Sequence, residues 1–213
     1  MDRTTADRTD MTVPATEGIK YTGSKLRLLP RILSLARRVG AGTVFDGFSG
    51  STRVSQCFAK SGLAVIANDI AAYSRVFNTA YLLNRREPRE YGEIIAHLNG
   101  LAPVSGWFTE HYGGRADSPL SASPEGLKKP WQKKNTMRLD AIREEIDRLD
   151  VDEITRAVCI TSLILALDKV DSTLGHYASY LNGWSPRSYN DLELAVPDLF
   201  VNGKDNTVLR MDI

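Results

Sequence analysis

The sequence predicts an α/β fold, a doubly wound parallel sheet interrupted by a mainly helical insertion, and three observations predict it. T-V-F-D at 43–46 leads into G-F-S-G-S, then R-V-S-Q-C-F-A-K-S-G, then L-A-V-I-A-N-D-I, which reads as strand, glycine loop, helix ending at Gly62 and second strand. Both strands are continuous apolar runs, the pattern of strands buried on both faces, and a parallel pair needs a helical crossover between its members. The stretch G-G-R-A-D-S-P-L-S-A-S-P-E-G-L-K-K-P at 113–130 breaks helix and strand alike, and two helical patterns follow it, at about 135–149 and 152–169.

Each element has its own local reason. Residues 1–18 mix Asp, Arg, Thr and Pro with almost no large apolar side chains, so they are expected to form a disordered tail. From Lys25, Leu26, Leu29, Ile32, Leu33 and Leu35 share a wide apolar face while Arg37 and Arg38 suit the negative end of a helix. The pattern at 71–83 supplies a third helix. Strand-like segments return at 192–196 and at 207–211. The expected organisation is therefore a ligand-binding α/β portion at 19–100, a helical insertion at 101–190 and a return to the sheet at 191–213. No internal repeat is present.

Composition narrows the function classes. The 213 residues are 42% apolar and 25% charged, which excludes a collagenous, low-complexity or wholly disordered chain. Lys plus Arg number 27 against 26 Asp plus Glu, so any basic surface is local rather than global. Cys57 and Cys159 sit in apolar helical patterns, far from each other and from any histidine, which argues against a disulfide framework or a zinc site. His97 and His111 show no metal spacing either. The longest strongly apolar run, 157–167, is much shorter than a membrane span, and the expectation is a cytoplasmic protein with no membrane partner and no metal.

The candidate chemistry lies in the βαβ unit. F-D-G-F-S-G-S stands at the carboxyl end of a strand and opens a helix, where nucleotide-like ligands bind in doubly wound sheets. Gly47 and Gly50 let a ligand approach the backbone, and Ser51 or Thr52 can cap the helix. Asp46 is poorly matched to a pyrophosphate and well matched to a cation such as the amino group of a methionine moiety. Neither a dinucleotide fingerprint nor a phosphate loop is present. Asp69 follows about 20 residues after Asp46, at the end of the second strand, where an acid accepts ribose hydroxyls. Together these point to S-adenosyl-L-methionine. The plain alternative is a tight βα turn with Asp69 as a helix cap.

I-K-Y-T-G-S-K-L, F-D-G-F-S-G-S and A-N-D-I, in that order, resemble the N-terminal half of the Dam-like adenine-specific DNA methyltransferases. The likeness covers about 19–83, and the closing M-D-I resembles a further cofactor-binding element. The resemblance implies a Rossmann-like S-adenosylmethionine-dependent methyltransferase sheet, incomplete here. It also implies transfer of a methyl group to the exocyclic amine of adenine in double-stranded DNA, with a restriction endonuclease as a companion. It places Tyr21, Lys25, Asp46, Phe48, Ser49, Gly50, Asp69, Ile70 and Asp212 at the cofactor, with Ser24 departing from the family's second glycine. The family's Asp-Pro-Pro-Tyr tetrapeptide has no counterpart, because no two of the nine prolines are adjacent. The expectation is therefore a truncated chain without turnover, or one completed by a second chain.

L-K-K-P-W-Q-K-K-N-T-M-R carries Lys128, Lys129, Lys133, Lys134 and Arg138 with no intervening acid and Trp131 among them, a pattern suited to phosphate contacts with one aromatic anchor, or to an ordinary solvated helix entry. Beyond it, V-D-S-T-L-G-H-Y is too polar and aromatic for a routine core helix. His176 reads as a structural histidine more readily than a base, and Asp171 with Arg187 as an ion pair. A methyltransferase acting on RNA or a small molecule, and a non-catalytic cofactor or DNA-binding fragment, remain the alternatives.

Overall fold

The computed structural model describes residues 12–21, 23–117, 129–173, 183–201 and 203–213. A 3-10 turn at Lys25–Leu28 leads into α1 (Leu29–Arg38), whose Pro30 lies in the first turn, where its missing N–H has no helical partner to lose. β1 (Thr43–Asp46), α2 (Arg53–Lys60) and β2 (Ala64–Asn68) form the expected βαβ unit, and α3 (Ala72–Asn78) continues as a π-helical turn through Leu83. α4 (Gly92–Asn99) and α5 (Trp107–Tyr112) follow. A two-residue pair, β3 (Gly113–Gly114) and β4 (Trp131–Gln132), then precedes the long α6 (Lys133–Arg148) and α7 (Glu153–Lys169). β5 (Thr207–Leu209) closes a three-stranded parallel sheet in the order β1-β2-β5.

Strand order explains one departure from the sequence. β2 is central and packs tightly, but β1 has a single strand neighbour among the described residues, and Phe45 is 56% exposed rather than buried on both faces. Leu29, Leu33, Val54, Phe58 and Val65 pack α1 and α2 onto the sheet. A second cluster joins Phe77, Tyr81 and Tyr91 to Val158 of α7. The third and most helical cluster gathers Leu98, Leu139, Ile142, Ile146 and Leu163. Asp152 caps α7 by accepting the Thr155 amide, and the hydrogen bonds it receives hold its carboxyl down at about 2. Among the described residues no helix is long and apolar enough to cross a membrane, and no cluster of three or more His, Cys, Asp or Glu could hold a metal ion.

Two expectations are corrected. Residues 192–196 are extended, with Leu192 and Leu194 buried in alternation, but they join no sheet. Side-chain amides replace the missing strand: Asn135 accepts the Leu192 amide and donates to the Asn190 carbonyl, and Asn99 does the same in both directions with Leu194. The expected tail at 1–18 is pinned over its described part. Glu17 exchanges two hydrogen bonds with Gln56, Arg53 donates to the Thr16 and Gly18 carbonyls, and Val13 packs on the core. The signal for this lay in Arg53 and Gln56, not in the tail itself.

The sheet's carboxyl edge depends on Asn68, which is 1% exposed. Its amide nitrogen donates to the carbonyls of Gly47 (3.2 Å) and Met211 (3.1 Å), and its side-chain oxygen accepts the Met211 amide at 3.0 Å. Asn68→Ala strands three backbone groups, so it is expected to lower stability by about 2–4 kcal/mol. Urea denaturation measures this, and a loss under 1 kcal/mol would contradict the role.

Candidate functional site

β1 and β2 end side by side, so the loops leaving them meet. Ser49 donates its backbone N–H to the Asn68 carbonyl at 3.0 Å, and its buried hydroxyl contacts the same carbonyl, Ser74 and Asn78. Asp69 spans the gap: Oδ2 accepts the Gly50 amide at 2.8 Å and Oδ1 the Ala71 amide at 2.9 Å. The loop turns on two left-handed residues, Gly50 (φ 51°) and Thr52 (φ 62°). Glycine adopts that conformation freely. A β-branched Thr does so at a cost on the order of 1–3 kcal/mol, the kind of backbone strain that gathers at binding sites. Thr52 does occupy the N-cap of α2, but its hydroxyl accepts from Gln56 instead of a helix amide.

The result is a cavity of about 440 Å³ walled by Tyr21, Lys25, Phe48, Ser49, Gly50 and Asp69, with Arg53 and Tyr73 completing it. Six residues singled out in the sequence are thus brought together. Lys25 reaches the Phe48 carbonyl at 3.5 Å, and the Phe48 ring is 69% exposed at the rim. Asp46 stands behind this wall rather than in it, accepting the Ser55 hydroxyl at 2.7 Å. Burial pushes its carboxyl above the ordinary range, against the pull of Ser55 and Lys25. Ile70 and Asp212 do not line the cavity. Ile70 is 63% exposed beside it, and Asp212 is exposed next to Met211 at the β5 edge. Arg53 and Tyr73 were not found from sequence. Arg53 looked like an ordinary first-turn cation, and Tyr73 like one more helix aromatic.

The basic segment is largely dismantled as a phosphate-binding surface. Trp131 is buried in the helical core, donating its indole N–H to the Leu167 carbonyl, and so presents no aromatic anchor. Arg138 donates to the Leu192 and Asn99 carbonyls at 2.9 Å each, which makes it a clamp between segments. Lys134 pairs with Asp191 at 2.6 Å, and Lys129, half-buried, donates to the His111 carbonyl. Lys133 alone of the described members is exposed with no such tie, and Lys128 lies outside the described residues. The physical reason is that β4 and the start of α6 are core elements, so these stems run along the protein surface to nearby oxygens. Asp171 and Arg187 do form an ion pair, at 2.6 Å, while His176 lies outside the described residues. Arg138→Ala is expected to cost about 1–3 kcal/mol by leaving two carbonyls unpaired, whereas Lys133→Ala stays within about 0.5 kcal/mol. Parallel urea titrations check both, and equal losses would contradict the distinction.

The D12 class N6 adenine-specific DNA methyltransferase family matches residues 21–212. Type II methyltransferase M.NlaIII of Neisseria lactamica is 30% identical over 196 residues, covering 88% of this chain and 56% of its own length. Modification methylase StsI of Streptococcus sanguinis is 30% identical over 209 residues, covering 91% of this chain and 31% of its own. Modification methylase LlaI of Lactococcus lactis subsp. lactis is 24% identical over 200 residues. The chain thus spans between about a third and just over half of the length of these relatives. No solved structure matches it. With nine-tenths of its residues inside the family match, this chain belongs to the D12 class of N6 adenine-specific DNA methyltransferases.

Proposed function

We propose that the cavity between the β1 and β2 ends holds S-adenosyl-L-methionine and that the chain serves methylation of adenine in double-stranded DNA. The observation that carries this is the convergence on one cavity of an aromatic residue, a lysine, a glycine loop and a strand-end acid drawn from three separate stretches of sequence. The residues fit such a ligand chemically. Gly50 leaves its backbone accessible, Lys25 offers a cation to a carboxylate, and the Asp69 oxygens, each accepting one amide, retain lone pairs for ribose hydroxyls. Asp46 adds a negative charge behind the loop that favours an amino group, and Asp212 and Ile70 are assigned to the adenine end.

When bound, the cofactor supplies an activated methyl group, which the adenine amine takes as it releases a proton, leaving S-adenosylhomocysteine. The chain's own part is to bind, orient and exclude water. Tyr21 and Phe48 cover the cavity's mouth, and Asp69 keeps the glycine loop at a fixed distance from β2, so the reactants are held rather than activated. Among the described members of the basic segment, Lys133 is the one whose ammonium is left to meet a DNA phosphate. A restriction endonuclease is the companion proposed for such a modifying chain.

Lys25 is the cleanest probe, because it is exposed and its ammonium reaches a loop carbonyl, that of Phe48. Lys25→Ala is expected to weaken S-adenosylmethionine binding about ten-fold or more, the loss of one charge-assisted hydrogen bond, with unfolding midpoint unchanged. Calorimetric titration decides it. An unaltered dissociation constant would remove Lys25 from the site, and no binding by the parent chain would overturn the cofactor reading.

A further inference from the structure

The loop that walls the cofactor cavity is held from behind by two residues that do not line it. Thr52, fully buried, keeps the left-handed backbone (φ 62°, ψ 5°) two residues after Gly50, a conformation that a β-branched side chain disfavours. Its N–H donates to the Ser49 carbonyl at 2.7 Å, and its hydroxyl accepts from Gln56 Nε2 at 2.9 Å. Gln56 is fully buried too, and the rest of its amide goes to the N-terminal segment: Nε2 also donates to the Glu17 carbonyl at 2.8 Å, and Oε1 accepts the Glu17 N–H at 3.0 Å. The same segment lies directly on the loop. A Cβ on Gly18 would stand 3.1 Å from the Ser51 carbonyl oxygen, and Arg53 donates to the Gly18 carbonyl at 2.8 Å. Glu17 has an anchor of its own on the far side, where its carboxylate accepts the Tyr81 hydroxyl and the Asp198 N–H at 2.7 Å each.

A single carboxamide therefore spans a docked segment and a strained turn. We propose that Gln56 is a positioning residue for the cofactor loop: it transmits the docking of residues 13–18 to Thr52, and so holds the turn that presents Gly50 and Ser51 to the ligand. None of residues 13–18 lines the cavity, so cofactor affinity depends on a segment outside its wall. The proposal rests on the cofactor reading above. A turn that threonine disfavours stays populated only while the surrounding structure holds it, and a loop already ordered binds without the cost of ordering it when the ligand arrives. Coupling of this kind is reciprocal, so the cofactor in turn tightens the segment.

Calorimetric titration of the whole chain with S-adenosylmethionine is the test. Gln56→Met keeps the length of the side chain and drops its three hydrogen bonds, and is expected to weaken binding about ten-fold. Thr52→Gly alone should stay within about two-fold of the parent, because glycine adopts a positive φ unaided. Added to Gln56→Met, it should recover most of the loss. A residue that only fills the core gives no such rescue, since a second core substitution would deepen the loss. Gly18→Val presses on Ser51 from the segment's side with Gln56 intact. It should weaken binding by a similar factor and be repaired by Thr52→Gly in the same way, and it decides the matter if Gln56→Met does not fold. An unchanged dissociation constant in the folded variant, or a loss that Thr52→Gly leaves unrepaired, overturns the proposal. No binding by the parent chain removes the cofactor reading instead, and amide exchange of the unliganded chain then decides the coupling. Either variant should speed exchange at 13–18 and 49–53 together, and a rise at only one of the two, or at neither, overturns it.

Discussion

Buried backbone must be hydrogen-bonded, and in this chain carboxamide side chains meet that demand at several points where the sheet does not. An amide side chain carries a donor and an acceptor side by side, so it can stand in for a strand neighbour. Asn68 does this where it matters most. It ties the Gly47 carbonyl and both backbone groups of Met211 to the end of β2, and so fixes the ends of all three strands relative to one another. Asp69, the next residue, then fixes the glycine loop through Gly50. Two consecutive polar residues at one strand end therefore set the position of the glycine loop on the candidate cofactor cavity. Asn206 does similar work at the other end of the sheet, accepting the Val65 amide and donating to the Leu82 carbonyl.

The N-terminal segment is held by the same kind of bond, and this is what brings Tyr21 and Lys25 to the site. Gln56 exchanges hydrogen bonds with the backbone of Glu17 in both directions, and Arg53 grips the Thr16 and Gly18 carbonyls. The Glu17 carboxylate in turn accepts the Tyr81 hydroxyl at 2.7 Å, and burial with that negative neighbour pushes the phenol far above its usual range. Lys20 is fastened to the end of α7. The segment thus links the sheet to the helical part, with Tyr21 on the wall of the candidate cofactor cavity. α2 carries both anchors on one face because Arg53 and Gln56 stand three residues apart in its first turn.

Much of this was legible in the sequence, and the failures share a cause. The βαβ unit, the α6 and α7 helices and the parallel return of β5 follow from apolar period and turn chemistry, which are local. Six of the nine residues assigned to a cofactor line one cavity, because the motifs that named them sit at strand ends whose geometry is fixed by the sheet. What could not be read was partnership over long separations. The alternation at 192–196 marked an extended chain correctly but could not say that Asn99 and Asn135, rather than another strand, would pair with it. The lysine run around Trp131 looked like a surface because charge dominates its composition, whereas Trp131 and Arg138 are committed to the core by contacts with α7 and with 192. Isolated Asn and Gln residues within apolar patterns, at 56, 68 and 99, were the signal available and unused.

The central claim is that the β1 and β2 ends, braced by Asn68 and Asp69, form the cofactor site. Amide hydrogen exchange of the chain with and without S-adenosylmethionine tests it most directly, since backbone protection reports where a ligand orders the loops. Protection concentrated at 47–52, 69–73 and 23–25, with the helices α4 and α6 unchanged, is the result this account predicts. Protection confined to the helical part, or a loop at 47–52 that exchanges equally with and without ligand, would contradict it.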